Sequence, residues 1–270
     1  MLEKIAQTAD YILSHTTRRP KTAIILGTGL GQLATQIEEA EAISYGEIPN
    51  MPVSTVEGHS GKLIFGKLGG KEILAMQGRF HFYEGYSMKE VTFPIRVMKA
   101  LGIETLFVSN AAGGTNSSFR VGDLMIIEDH INLFPEHPLR GKNYDELGPR
   151  FPDMSEPYDF KLIKLAEQIA AEKGVHLQKG VYIGTQGPTF ETRAEYRYFR
   201  NIGGDAVGMS TVPEVIVAHH AGMRVFGVSV ITDLGGFGIP EKASHEEVQK
   251  AANAAQPIMT MIMSEMIRRS

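Results

Sequence analysis

Several short apolar runs in this chain stop abruptly in glycine or small polar residues, and that pattern limits the folds open to it. Residues 22–26 (Thr-Ala-Ile-Ile-Leu) run into Gly27-Thr28-Gly29-Leu30-Gly31. Residues 72–76 (Glu-Ile-Leu-Ala-Met) run into Gln77-Gly78, and residues 106–109 (Leu-Phe-Val-Ser) into Asn110-Ala111-Ala112-Gly113-Gly114. Runs this short, bounded by turn residues, read as buried strands rather than helices. Residues 123–127, 181–183 and 224–231 read as further strands. Helical spacing separates them: residues 2–13, a stretch around 95–101, residues 162–170 stopped by Gly174, and a last helix opened by Ser244-His245-Glu246-Glu247. Strands alternating with helices give an α/β fold, and with no repeat or internal boundary one domain over residues 1–270 is expected. In open α/β sheets, ligands bind at strand ends.

Composition narrows the function. The 270 residues are 43% hydrophobic and 21% charged, ordinary for a globular protein. A net charge of -4 offers no electrostatic case for nucleic acid or a membrane surface. With no cysteine there is no disulfide, thiolate metal site or cysteine nucleophile. The start of the chain has no secretory core and no stretch reaches a membrane span, so a cytoplasmic protein is expected. The nine histidines show no metal-ligand spacing, His219-His220 reads as structural, and Asn116-Ser117-Ser118 as a chance glycosylation match. From about 132 to 158 the chain reads as a long loop. In the last helix Met259, Met261, Met263 and Met266 read as core, and Pro257 as a kink.

The chemistry concentrates after the second run, in Gln77-Gly78-Arg79-Phe80-His81-Phe82-Tyr83-Glu84-Gly85-Tyr86. In extended chain, Arg79 and His81 project to one side, a guanidinium and an imidazole suited to an oxyanion. Gly27 to Gly31 lacks the third glycine of a dinucleotide fingerprint and the lysine of a P-loop; it offers backbone N–H groups and the Thr28 hydroxyl, or is a plain tight turn. Ser210 precedes a helix start with Thr211 as cap and Glu214 three residues on, where orphan donors favour an anion, or where Ser210 is a simple cap residue. Phe190-Glu191 sets a carboxylate beside a ring, an arrangement that can stack on a heterocycle and accept from its N–H edge; a solvated loop glutamate is the other reading.

Together these segments resemble the trimeric purine nucleoside phosphorylases. Gly27 to Gly31, Gly58-His59, Gln77 to Tyr86, Asn110 to Gly114, Gly187 to Glu191, Gly208 to Glu214, and Ser244 to Glu247 occur in the family's order. The resemblance implies a central twisted mixed sheet flanked by helices, of phosphorylase/hydrolase-like type. It also implies cleavage of a purine nucleoside by phosphate, a co-substrate, to free base and (deoxy)ribose 1-phosphate, with no cofactor and no metal. Thr28, Arg79, His81, Ala111 (through its N–H) and Ser210 would hold phosphate. Tyr83 and Met209 would contact ribose, His245 the 5′-hydroxyl, and Phe190, Glu191, Val207 and Asp233 the rest of the nucleoside. His59 would lie at the mouth of the site. Glu191, Asp233 and His81 would carry the catalytic roles. Phe151 matches an aromatic that reaches a neighbouring subunit's site, which implies a homotrimer. Such enzymes serve purine salvage.

One position departs from the family's 6-oxopurine pattern. Ile231-Thr232 is followed by Asp233, where an asparagine is usual. An ionised aspartate only accepts, whereas asparagine donates to O6 and accepts from N7–H. Aspartate is typical of the related methylthioadenosine phosphorylases, whose other marks are missing: Glu191, His245 and Gly235 stand where they differ. Ionised Glu191 suits the N1–H of hypoxanthine and guanine, and its mismatch with the bare N1 of adenine costs roughly 1–3 kcal/mol. The expectation is therefore that inosine and guanosine are preferred, with Asp233 protonated or turned toward N7; the alternatives are adenosine or methylthioadenosine phosphorolysis and a nucleoside-binding protein without turnover. Asp233→Asn should then keep inosine phosphorolysis. Its collapse in a variant that still melts cooperatively would contradict this assignment.

Overall fold

The computed structural model describes residues 1–27, 31–53, 61–235 and 244–270. Its strands are β1 (Thr22–Leu26), β2 (Glu38–Ser44), β3 (Lys62–Leu68), β4 (Lys71–Gln77), β5 (Thr105–Gly114), β6 (Leu124–Asn132), β7 (Gln178–Gly184), β8 (Ala206–Gly208) and β9 (Arg224–Leu234). Its helices are α1 (Leu2–His15), α2 (Met88–Val91), α3 (Phe93–Ala100), α4 (Phe160–Lys173), α5 (Arg193–Asn201), α6 (Val212–His220) and α7 (His245–Arg269).

The strands form one mixed sheet in the order β2-β3-β4-β1-β5-β8-β7-β6-β9. A further parallel pairing of β5 with β9 joins the last strand back to the middle of the sheet. The five strands β5, β8, β7, β6 and β9 thus close on themselves, while β2, β3, β4 and β1 stay open. Closure removes an exposed sheet edge. The sequence pattern marks β1, β4, β5, β6, β7 and β9 as strands, but not β2, β3 and β8, nor which strands close a ring.

β5 extends further than its apolar run. Residues 110–114 are strand rather than turn, because β9 pairs along them up to Gly114 opposite Leu234. On its other edge β5 pairs with β1 only from Thr105 to Val108, and with β8 only from Gly113. Residues 109–112 therefore face neither strand on that edge, and an opening forms there beside the ends of β1 and β4.

Ile24, Phe107 and Phe226 lie fully buried at the centre of the core, Phe107 and Phe226 with ring centroids 5.9 Å apart. In α7, Met259, Met263 and Met266 are fully buried, and the helix continues through Pro257 from His245 to Arg269. The loop from 133 to 159 is fastened to α6 by its two histidines. His220 accepts from Arg96 Nη1 at 2.9 Å on Nδ1 and donates from Nε2 to the Pro149 carbonyl at 2.9 Å. His219 Nε2 donates to the Asp153 carbonyl at 2.8 Å. Among the described residues no helix is long and apolar enough to cross a membrane.

Candidate active site

A cavity of about 550 Å³ opens where the strand ends converge. Arg79 and His81 enter it from the segment after β4, Ala111 from the open edge of β5, and Val207, Met209 and Ser210 from β8 and the turn that follows. Phe190 and Glu191 come from the loop after β7, Asp233 from the end of β9, His245 from the first turn of α7, and Tyr83 from the turn after His81. Residues up to 169 positions apart in sequence, Arg79 to Val248, are thus brought around one space.

Thr28 and His59 lie outside the described residues. Phe151 is not among the residues of this cavity. It is 88% exposed on the long loop and borders a separate hollow with Arg140, Met154 and Ile216.

Arg79 is the most constrained group of the site. Its side chain is 2% exposed, and Nε donates to Glu214 Oε1 at 2.8 Å, with Glu214 itself 4% exposed. Nη1 donates to the Ser109 carbonyl at 2.6 Å and to Ser210 Oγ at 3.2 Å. Gly27 leaves the room this needs: a Cβ there would fall 2.4 Å from the Ser109 carbonyl oxygen and 3.0 Å from Nη1. A buried guanidinium of this kind needs a carboxylate partner, and Glu214 supplies it.

Glu214 does this in place of the capping role its spacing suggests. The Thr211-x-x-Glu214 box does not form: Thr211 makes no side-chain cap and adopts φ 72, ψ -55. That conformation costs a β-branched residue about 1–3 kcal/mol. It is held in place by Asn110 Nδ2, which donates to Thr211 Oγ1 at 2.8 Å, and by Ser210 Oγ at 3.1 Å from the same atom. The strained turn sets Ser210 beside Arg79 while α6 delivers Glu214 behind it. A signal for Glu214 does exist in the sequence, since it is the one acidic residue in Val-Pro-Glu-Val-Ile-Val-Ala-His-His, a helix otherwise apolar up to its two histidines.

His81 has a comparable support. Glu84 Oε1 accepts from the His81 backbone N at 2.8 Å and lies 3.1 Å from Nδ1. The ring also stacks on Tyr83, centroids 4.7 Å apart and 16° between planes. Burial, aided by the Glu84 charge, pushes the Tyr83 phenol up to about 12, so it stays a neutral hydroxyl.

At the other end, Asp233 is engaged on both oxygens: the Tyr196 hydroxyl donates to Oδ2 at 2.9 Å and Thr232 Oγ1 to Oδ1 at 3.0 Å. Burial, and next among the charges Asp233, raise the Glu191 carboxyl to about 7. The expectation that Glu191 is ionised thus meets a site in which the Glu191 carboxyl has a raised affinity for a proton. Tyr196 went unnoticed in the sequence because its partner is 37 residues away. Among the described residues no group of three or more histidine, aspartate or glutamate side chains could hold a metal ion.

The fold and this arrangement agree with the comparisons. A family model described as "Phosphorylase superfamily" matches residues 21–268. Purine nucleoside phosphorylase 1 of Bacillus subtilis (strain 168) is 55% identical over 250 residues, 93% of this chain and 92% of that protein. Purine nucleoside phosphorylase of Bos taurus is 51% identical over 269 residues, 97% of this chain and 93% of that one. The crystal structure of Schistosoma mansoni purine nucleoside phosphorylase in complex with adenosine superposes with a TM-score of 0.95 at 43% identity, covering 99% of this chain and 97% of that one. The same enzyme in complex with inosine gives 0.95 at 42% identity, covering 100% and 97%. The chain belongs to the phosphorylase superfamily and, within it, to the purine nucleoside phosphorylases.

Because Glu191 holds its proton up to about pH 7, the empty protein gives up stability as pH rises from the free carboxyl range, about 4.3, through 7. Glu191→Gln keeps the neutral form at every pH. Its Tm advantage over the wild type should therefore grow between pH 5, where only the first part of this stability has been lost, and pH 8, where all of it has; an equal offset at both would contradict the burial of this carboxyl.

Proposed function

We propose that this chain is a purine nucleoside phosphorylase that reversibly transfers the (deoxy)ribosyl group of a purine nucleoside to inorganic phosphate, with inosine and guanosine preferred. The observation that carries the reading is a single cavity with two chemically distinct poles. Arg79, His81, Ala111 and Ser210 gather donors at one, and Phe190, Glu191 and Asp233 gather a ring and two carboxyl groups at the other. Phosphate fits the first and a purine the second, with ribose between them against Tyr83 and Met209.

In this reading Arg79 and Ser210, already hydrogen-bonded to each other, hold phosphate beneath the sugar, with His81, the Ala111 N–H and Thr28 completing the cradle. Breaking the glycosidic bond develops positive charge on the sugar and negative charge on the purine. The phosphate anion stabilises the first, and hydrogen bonds from the Asp233 side of the pocket stabilise the second. Preorganised charge and orientation of this kind supply most of the acceleration in such sites. Phe190 packs on the base, Glu191 accepts from its ring N–H, Val207 closes the pocket, and His245 and His59 meet the 5′ side. Phosphate is a co-substrate and the reaction needs no cofactor or metal. Phe151, exposed on its loop, reaches the site of a neighbouring copy in a homotrimer, and the enzyme works in purine salvage in the cytoplasm.

The polar His245 and the carboxyl of Glu191 argue against a methylthio substrate. Base release from inosine, guanosine, adenosine and methylthioadenosine, each with and without phosphate, tests the assignment. Phosphate-dependent release, fastest from inosine and guanosine, is expected. Release that ignores phosphate, or none from any nucleoside, would overturn it.

A further inference from the structure

Between the end of β8 at Gly208 and the start of α6 at Val212, the chain doubles back on itself around Thr211. Val212 N donates to the Ser210 carbonyl at 2.8 Å, and Thr211 between them has φ 72 and ψ -55. These are the marks of a γ-turn of the rare, strained kind. Ser210 lines the cavity, whereas Thr211 does not and is fully buried behind it. The turn is fastened on both sides. The fully buried Tyr182 hydroxyl accepts from Ser210 N at 3.4 Å, and a Cβ on Gly208 would fall 2.3 Å from its oxygen. On the other side Asn110, 2% exposed, donates to the Thr211 hydroxyl. Strain persists only where the surroundings over-determine it, and here it stands beside a group that faces the cavity.

The role of Thr211 follows from where the protons go. Asn110 Nδ2 has only protons to offer, and one goes to Thr211 Oγ1 at 2.8 Å. Thr211 Oγ1 makes one other hydrogen bond among the described residues, with Ser210 Oγ at 3.1 Å. A buried hydroxyl that accepted both bonds would strand its own proton, so Thr211 donates in the second. Ser210 Oγ thus receives the Thr211 proton together with one from Arg79 Nη1 at 3.2 Å. Both of its lone pairs are filled, and its own proton is left for an acceptor in the cavity.

Resting on the phosphorylase reading above, we propose that Thr211 is a positioning residue for phosphate: its hydroxyl passes the polarity set by Asn110 on to Ser210 and makes Ser210 a donor toward the anion. A serine hydroxyl free to rotate turns either a proton or a lone pair to the cavity, and a lone pair repels an anion. The chain from Asn110 through Thr211 removes the second orientation before the ligand arrives, so no reorganisation is needed on binding. Successive hydrogen bonds also polarise one another, which strengthens the last donor. The strained turn has its reason here. A threonine in the usual capping conformation spends its oxygen on the first N–H groups of the helix. Thr211 makes no such bond to α6, and its hydroxyl serves Ser210 instead.

The test is calorimetric titration of inorganic phosphate into the full chain, with KM for phosphate and KM for inosine at saturating phosphate. Thr211→Val keeps the branched shape and the strain but loses the hydroxyl. Thr211→Gly also loses the hydroxyl, yet adopts φ 72 freely, so it carries the test if the valine variant does not fold. Both should bind phosphate at least about tenfold more weakly, with KM for phosphate rising in parallel and KM for inosine changing less than about threefold. Thr211→Ser, which keeps the hydroxyl, should stay within about threefold of the wild type. Adding Thr211→Val or Thr211→Gly to Ser210→Ala should weaken phosphate binding by no more than about twofold, because the group through which Thr211 acts is already gone. Undiminished phosphate affinity without the hydroxyl, equal rises in both KM values, or a serine variant as weak as the valine one would overturn the proposal. So would a full loss repeated in the Ser210→Ala background. A wild type that binds no phosphate and releases no base in its presence would instead remove the phosphorylase reading itself.

Discussion

The ion pair between Arg79 and Glu214 is the constraint on which the site depends. It joins the segment after β4 to helix α6 across 135 residues of sequence, in a place where neither charge meets water. Such a pair contributes little net stability, because desolvation offsets most of its Coulomb attraction. Losing one partner is another matter, since it strands the remaining charge at a cost of about 3–5 kcal/mol. Its value is positional. Glu214 takes Nε, the Ser109 carbonyl takes Nη1, and the guanidinium is fixed before any ligand arrives. The strained Thr211, the short turn at Ser210 and the close passage of Gly27 all follow from fitting the chain around that group.

The same principle recurs at each pole. His81 is backed by Glu84, and Asp233 by Tyr196 and Thr232. Arg79, His81 and Asp233, which face the cavity, each have a second group behind them that orients them. The anion pole does not depend on a large net positive charge, because its cation carries its own carboxylate. Its selectivity comes from donors held at fixed positions, and such donors act strongest where water is excluded.

Much of the fold was legible in the sequence. Apolar runs of strand length gave β1, β4, β5, β7 and β9, and Gly174 ends α4 in the left-handed conformation, φ 66, expected of a helix-terminating glycine. The closure of five strands was not legible, because pairing of β5 with β9 is a tertiary choice that leaves no local periodicity. For the same reason residues 110–114 read as a turn: their small side chains satisfy turn preferences, and only pairing with β9 makes them strand. At the site, the residues that line the cavity stood out through their motifs, whereas those behind them did not. Glu214 has local spacing that fits a helix cap, and Tyr196 looks like any aromatic on an amphipathic helix. Their partners, distant in sequence, decide their roles.

The central claim is that a preformed, buried Arg79 makes this cavity an anion site before a nucleoside binds. Calorimetric titration of inorganic phosphate into the full chain without nucleoside tests it most directly, with Arg79→Ala as the comparison. The account predicts saturable binding, one phosphate per chain, lost in the variant while His81 and Ser210 remain. Undiminished phosphate binding by Arg79→Ala would contradict it.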